Sequence, residues 1–93
     1  MHYLYIIYSE TINRYYIGES HDADERLKQH NIHYFKSNFT KASNDWKLSL
    51  KYLCRNKEEA VFLEKFIKKM KSRVFIKKVI ENPEILTDLL KKM

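Results

Sequence analysis

The chain has 93 residues, of which 44% are hydrophobic and 14% aromatic, a composition typical of one small folded domain and not of a disordered segment. Its 18 basic and 12 acidic side chains give a net charge of +6, which favours a polyanionic partner, nucleic acid first and an anionic membrane surface second. The single cysteine excludes an internal disulfide, and no Cys/His pattern has the spacing of a zinc site.

The sequence shows neither a secretion signal nor a membrane-spanning segment. Its first residues lack the basic and apolar regions of a signal peptide, and no apolar run approaches the length of about 20 residues that a membrane helix needs. We therefore expect a cytoplasmic protein with no membrane partner and a single domain over residues 1–93. Its oligomeric state stays open between a monomer and a weak dimer.

Two strands joined by a polar turn are predicted at the start of the chain. Residues 2–9 are rich in aromatic and β-branched side chains, and residues 14–18 repeat that character, so the two segments should pair as an antiparallel hairpin. The only glycine, Gly18, closes the second segment. Its missing Cβ permits either a positive φ or a very close approach of another group to the backbone.

A helix, a loop and a third strand are predicted next. Asp22 and Glu25 have the spacing of a capping box, so a helix should begin there and run to about His30. Residues 31–45 show no periodicity, which in a small domain indicates a functional or mobile loop. Residues 46–54 alternate as a half-buried strand does. One face of this strand is predicted to carry Trp46, Leu48, Leu50 and Tyr52.

The remaining residues are predicted to be helical. Asn56 begins a second capping box and opens a long helix that should break near Ser72. A third helical stretch should reach Val79, and Pro83 separates it from a short amphipathic helix over residues 84–93. The order β-β-α-β-α-α predicts an α+β fold, a small three-stranded antiparallel sheet flanked by helices.

Five side chains on these elements could converge on one site. They are Tyr5, Tyr16, Arg26, His30 and Glu64. The two tyrosines lie on the paired strands, Arg26 and His30 share one helix face, and Glu64 lies at the edge of the long helix's buried stripe. This set suits phosphodiester hydrolysis, because a carboxylate can anchor Mg²⁺, an arginine can neutralise phosphoryl charge and a tyrosine can orient or deprotonate water.

Each of these residues also has an ordinary structural interpretation. Tyrosines in strands usually pack, an arginine on a helix is usually solvated, and a histidine at a helix end is favoured by the helix dipole. Glu64 can simply pair with Lys68 four residues on, a contact worth about 0.3–0.5 kcal/mol. The lysines of residues 65–78 can form a solvated face. The other histidines, at positions 2, 21 and 33, have no evident partner and are expected at the surface.

In their order along the chain, the motifs resemble the GIY-YIG endonuclease superfamily. Tyr3-Leu4-Tyr5 occupies the GIY place, Tyr16-Ile17-Gly18 is the YIG motif itself, residues 22–30 resemble the family's arginine-bearing helix, and Ala60 with Glu64 resembles its glutamate-bearing helix. Further similar segments are Phe39-Thr40-Lys41, Trp46-Lys47-Leu48 and Asn82-Pro83 with Asp88-Leu89. The resemblance covers nearly the whole chain and is to the stand-alone bacterial branch, which is similar to the catalytic domain of the bacterial excision-repair nuclease.

The resemblance implies a DNA endonuclease that uses Mg²⁺ or Mn²⁺ and leaves 5′-phosphate and 3′-hydroxyl ends, with DNA repair as a setting. By position, the implied catalytic residues are Tyr5, Tyr16, Arg26 and His30. The implied metal ligand is Glu64, and Gly18 is implied to support the site structurally. Candidate nucleic-acid contacts are Lys41, Lys68, Lys71 and Arg73.

Two positions depart from the family pattern. Tyr3 replaces the first GIY residue, a common variation in the stand-alone branch, and Glu19 follows the YIG glycine where relatives often place lysine or another donor. A carboxylate facing the site would repel phosphate, so the main alternative is a nucleic-acid-binding module on this fold with weak or lost catalysis. A basic protein-interaction domain is the third hypothesis. Metal-dependent nicking separates the first from the second, and salt-dependent DNA affinity separates the second from the third.

Overall fold

The computed structural model describes residues 1–32 and 43–93. The strands are β1 (His2–Ser9), β2 (Arg14–Ser20) and β3 (Lys47–Cys54), and the helices are α1 (Ala23–Asn31), α2 (Lys57–Met70), α3 (Arg73–Glu81) and α4 (Glu84–Leu90). The strands form one antiparallel sheet in the order β2-β1-β3. The predicted α+β fold is confirmed, and its C-terminal half divides into three helices.

Three of the helices begin at side-chain caps. Asp22, Asn56 and Ser72 each accept a hydrogen bond from the backbone N–H three residues further on, over 3.0, 2.9 and 3.1 Å respectively. The cap at Ser72 lies at the predicted break, and Lys71 just before it has the left-handed backbone conformation, with φ 48° and ψ 40°. The chain therefore turns sharply between α2 and α3.

The sheet separates two apolar cores, because alternate residues of a strand point to opposite faces. On one face, Leu4 and Ile6 of β1 pack with the helices α2, α3 and α4. The buried helical residues of this core are Ala60, Leu63, Ile67, Val79 and Leu86. On the other face, Tyr5 and Ile7 pack with residues of α1 and the start of β3. The second core is small, and it contains the tyrosine that the sequence singled out.

One prediction about β3 is wrong, because its alternating apolar residues do not share a face. The register between β1 and β3 shifts, so that Ile6 lies opposite Leu50 while Ile7 lies opposite Leu48. The extra residue, Ser49, is a β-bulge, which interrupts the two-residue alternation. As a result Leu48 packs against the core that contains Tyr5, and Leu50 packs against the core that contains Leu4. Likewise, Trp46 belongs to the core that contains Tyr5, and Tyr52 packs against the core that contains Leu4.

A partly buried polar cluster fixes the segment before β3 to the β1–β2 turn. The Asp45 carboxylate accepts hydrogen bonds from the hydroxyls of Ser9, Ser43 and Thr11 and from the Thr11 backbone N–H. These bonds hold the pKa of Asp45 well below its usual range. One residue further on, the Trp46 backbone donates to and accepts from the Asn31 side chain at the end of α1, over 2.7 and 2.9 Å.

No helix within the described ranges is long and apolar enough to cross a membrane.

Candidate active site

The glycine of the YIG motif makes room for a buried tyrosine. Gly18 lies directly opposite Tyr5 in the β1–β2 register. A Cβ at Gly18 would lie 2.5 Å from both Cζ and Oη of Tyr5, closer than real Cβ atoms come to a neighbour. No described glycine has a positive φ, so of the two predicted roles of Gly18 the close approach is the one observed. The phenol of Tyr5 therefore rests against the bare backbone of β2.

Helix α1 completes a cluster of three rings. The Tyr5 hydroxyl lies 2.9 Å from Nε2 of His30 in the last turn of α1, and both side chains are only 1% exposed. The Tyr16 ring meets the His30 ring edge-on, with 4.9 Å between their centroids. Two strands and one helix thus bring together three of the residues that the sequence assigned to catalysis.

Burial sets the protonation of this cluster. It is the main reason that the pKa of Tyr5 is raised to about 12, and the neighbouring Tyr16 raises it further. Burial also lowers the pKa of His30 to about 4, and the positive charge of Arg26 acts in the same direction. The hydrogen bond and charge of Arg26 oppose part of the Tyr5 shift. At neutral pH the phenol and the imidazole are therefore both uncharged.

Glu64 reaches the cluster from α2. Its negative charge helps to raise the pKa of Tyr5, so it lies within electrostatic reach of the phenol. Its carboxylate accepts a 2.9 Å bond from Lys68, and that ammonium also lies 5.5 Å from the centroid of the Tyr16 ring. The expected pair between Glu64 and Lys68 exists, and it lies at the site. Residues 1–32 and 43–93 contain no group of three or more His, Cys, Asp or Glu side chains placed to hold a metal ion.

The unusual carboxylate after the YIG glycine faces away from these rings. Glu19 lies opposite Leu4, whose side chain belongs to the core on the other sheet face. Its carboxylate contacts the ring Nε2 of His2, and the two side chains are 20% and 16% exposed. The expectation that His2 lacks a partner and lies at the surface is therefore wrong. It failed because the contact depends on which residues of β1 and β2 are opposite each other.

The candidate nucleic-acid contacts occupy different environments. Lys68 is at the site, Lys71 ends α2, and Lys41 lies outside the described residues. Arg73, at the start of α3, donates a 2.8 Å bond to the backbone carbonyl of Asn13 and lies 5.9 and 5.1 Å from the ring centroids of Tyr8 and Tyr15. Arg73 thus has a structural contact with the β1–β2 turn.

The comparison with protein families identifies the chain. A model described as the GIY-YIG catalytic domain matches residues 1–78, which contain both strands of the hairpin, α1, β3, α2 and most of α3. The chain belongs to the GIY-YIG nuclease family. Comparisons with curated proteins and with solved structures gave no significant match. GIY-YIG nucleases generally depend on a divalent metal, and Glu64 is the carboxylate that this chain brings to the Tyr5 cluster.

Gly18→Ala should destabilise the protein through Tyr5. An alanine in a strand interior is ordinarily favoured over glycine by about 0.5–1 kcal/mol, whereas here the added methyl meets the Tyr5 ring and should cost about 1–3 kcal/mol. The measurement is the free energy of unfolding in urea for Gly18→Ala, Tyr5→Leu and the double variant. We expect a clear coupling between the two positions. Equal costs of Gly18→Ala with and without the Tyr5 ring would show that this contact is not the constraint.

His30 should make stability depend on pH. Because the pKa of His30 is about 4 in the folded protein and about 6.5 when unfolded, the unfolded chain takes up a proton first as the pH falls. The stability due to neutral His30 is thus complete above pH 6.5 and is lost towards pH 4, by about 3 kcal/mol at most. We expect His30→Gln to lose less stability than the wild type between pH 6.5 and 4.5, measured by urea unfolding. The matched control His21→Gln, at an exposed histidine, should keep the wild-type slope. Parallel curves for the wild type and His30→Gln would contradict a buried neutral imidazole.

Proposed function

We propose that the protein is a metal-dependent endonuclease that hydrolyses DNA phosphodiester bonds and leaves 5′-phosphate and 3′-hydroxyl ends. The observation that carries this proposal is the hydrogen-bonded pair of Tyr5 and His30, buried under Tyr16 and within the electrostatic reach of Glu64. Membership of the family supports a nuclease. The net charge of +6 supports a polyanionic substrate such as DNA.

The Tyr5–His30 pair can position and deprotonate the attacking water. Tyr5 is protonated at neutral pH, because its pKa is raised to about 12, so it needs a partner to which its own proton can pass. The uncharged Nε2 of His30, 2.9 Å away, can accept that proton while the Tyr5 oxygen takes one from water. The resulting hydroxide attacks phosphorus while the bond between phosphorus and the 3′-oxygen breaks, and the departing 3′-oxygen takes up a proton from solvent to become the 3′-hydroxyl end. The low pKa of His30 limits this transfer in the free protein, and the negative charge of a bound phosphate raises that pKa.

Arg26 can act on the phosphoryl group. Its guanidinium interacts with both Tyr5 and His30, so a phosphate next to the Tyr5 hydroxyl is also next to a fixed positive charge. A planar guanidinium can hold two phosphate oxygens at once, which a lysine cannot do. We therefore assign Arg26 to neutralising the charge that develops on the phosphoryl oxygens.

Glu64 is the residue that would hold the metal ion. Mg²⁺ in phosphoryl-transfer sites commonly takes one or two carboxylates and completes its coordination with water and phosphate oxygens, so a lone carboxylate suits it. The Glu64 side chain is 20% exposed and already carries a cation, the Lys68 ammonium, at 2.9 Å. A bound Mg²⁺ or Mn²⁺ would polarise the phosphoryl oxygen and stabilise the leaving oxygen. Lys68 is then free to pair with a DNA phosphate.

The alternative function, a binding module with weak or lost catalysis, depended on a carboxylate facing the substrate. Glu19 instead pairs with His2 on the other face of the sheet. We therefore propose the nuclease in preference to this alternative.

Glu64→Gln should abolish cleavage and leave folding and DNA binding intact. The amide keeps the size of the side chain and removes the charge that would anchor the metal, so we expect the rate to fall by at least about 100-fold. The measurement is nicking of plasmid and of branched or flapped DNA with Mg²⁺ or Mn²⁺, together with melting temperature and DNA affinity. The matched control is Glu58→Gln, at an exposed position in the first turn of the same helix. Wild-type cleavage by Glu64→Gln would leave Glu64 as a helix surface residue paired with Lys68.

A further inference from the structure

A basic groove lies beside the candidate active site, between the β1–β2 turn and the junction of α2 with α3. Its volume is ≈ 540 Å³, and the described residues that line it include four cationic side chains and no acidic one. The cationic residues are Arg14, Lys68, Lys71 and Arg73. Ile17, Ile67 and Ile76 contribute apolar lining. We call this feature the hairpin groove. A groove lined by one sign of charge concentrates ligands of the opposite sign.

The hairpin groove is continuous with the site through one residue. Lys68 lines the groove, and its ammonium is the group that contacts Glu64 at 2.9 Å and lies 5.5 Å from the Tyr16 ring centroid. A polyanionic chain that has one phosphate at Tyr5 and Arg26 can therefore extend past Lys68 into the groove. The groove is placed to receive the neighbouring phosphates of the same strand.

Lys71 occupies a backbone position that local structure does not favour for lysine. With φ 48° and ψ 40° it is in the left-handed region, where a helix usually ends with glycine or asparagine. Its side chain is exposed and lines the groove, so it is free to meet an anion there. The first turn of the next helix, α3, also has no acidic residue, whereas the first turns of α1, α2 and α4 do. Nothing acidic in that turn offsets the groove's charge.

Arg73 joins the two sides of the groove. Its guanidinium is bonded to both the backbone carbonyl and the side-chain oxygen of Asn13 and lies against the ring of Tyr15. These contacts tie the start of α3 to the β1–β2 turn. The positive charges of Arg14 and Lys71 are thus carried by two segments that are linked to each other.

We propose that the hairpin groove binds the phosphates that flank the scissile bond on the cleaved DNA strand, with Arg14 and Lys71 as the phosphate contacts. This proposal rests on the proposed nuclease function, and it names the surface that holds the substrate strand next to the catalytic residues. Each lysine or arginine that neutralises a phosphate releases a counterion, which contributes about 0.9 to the log–log salt slope on duplex DNA.

Lys71→Gly is the sharpest test, because it removes a positive charge without an expected loss of folding stability. Glycine suits the left-handed position, so this variant should be at least as stable as the wild type while it loses a phosphate contact. On a labelled duplex with a chelator present, we expect the salt slope to fall by about one unit and the affinity at 0.1 M salt to fall about eightfold. Arg14→Gln should act similarly, and the two effects should multiply in the double variant.

The matched control is Lys91→Gln, which also removes one positive charge. Lys91 lines a different cavity, which is bordered by β3 at the opposite edge of the sheet. It should keep the wild-type slope and affinity. An equal loss in Lys91→Gln would show a general charge effect and overturn the groove. The groove proposal would also be overturned if both groove variants kept the wild-type DNA affinity and salt slope.

Cleavage assays with Mg²⁺ separate the two proposals. If the groove variants raise KM with kcat unchanged, the groove binds the substrate that is cut. If the groove variants weaken binding but no DNA is cut by the wild type with Mg²⁺ or Mn²⁺, the nuclease proposal fails and the groove is retained as a DNA-binding surface only. If wild-type protein cuts DNA and the groove variants cut it with unchanged KM, the groove proposal fails and the nuclease stands.

Discussion

The contact between the Tyr5 ring and the backbone at Gly18 is the constraint on which the site depends. It places a phenol inside the sheet's smaller core, with its hydroxyl bonded to His30. The one contact ties β1 to β2 and, through His30, to α1. Tyr16 and Arg26 are then positioned by the same strand and the same helix. A side chain at Gly18 would displace the Tyr5 ring and so disturb its hydrogen bond to His30.

Burial gives this arrangement its chemistry. Tyr5 and His30 are both almost fully enclosed, so both are uncharged at neutral pH and share one hydrogen bond. Such a pair cannot act alone, since neither partner is charged and the phenol holds its proton firmly. It needs an anion and a cation to shift its protonation. In the proposed mechanism these two groups are a phosphate beside Arg26 and a metal ion at Glu64, so the proposal links the burial of the pair to substrate binding.

The parts of the fold that could be predicted from sequence are those with local signals. The hairpin, the caps at Asp22 and Asn56 and the break near Ser72 depend on residues close together in the chain. The bulge at Ser49, the Asp45 cluster and the pair of His2 with Glu19 depend on register between distant segments, which spacing along one strand does not encode. The convergence of Tyr5, Tyr16 and His30 also depends on register, so spacing alone offers it only as a hypothesis, which the family resemblance makes an expectation. The catalytic and binding roles of all the site residues stay proposals.

The most direct measurement is the DNA cleavage rate of Tyr5→Phe with Mg²⁺ and saturating substrate. This change keeps the ring on Gly18 and removes only the hydroxyl that is bonded to His30. The matched control is Tyr52→Phe. Tyr52 lies on β3, the edge strand opposite β2, and this change removes a hydroxyl that is bonded to Thr87. We expect both variants to stay folded, Tyr5→Phe to lose at least about 100-fold in rate and Tyr52→Phe to cut as the wild type does. Wild-type cleavage by Tyr5→Phe would contradict a catalytic role for the buried pair and leave Tyr5 as a packing residue of the sheet.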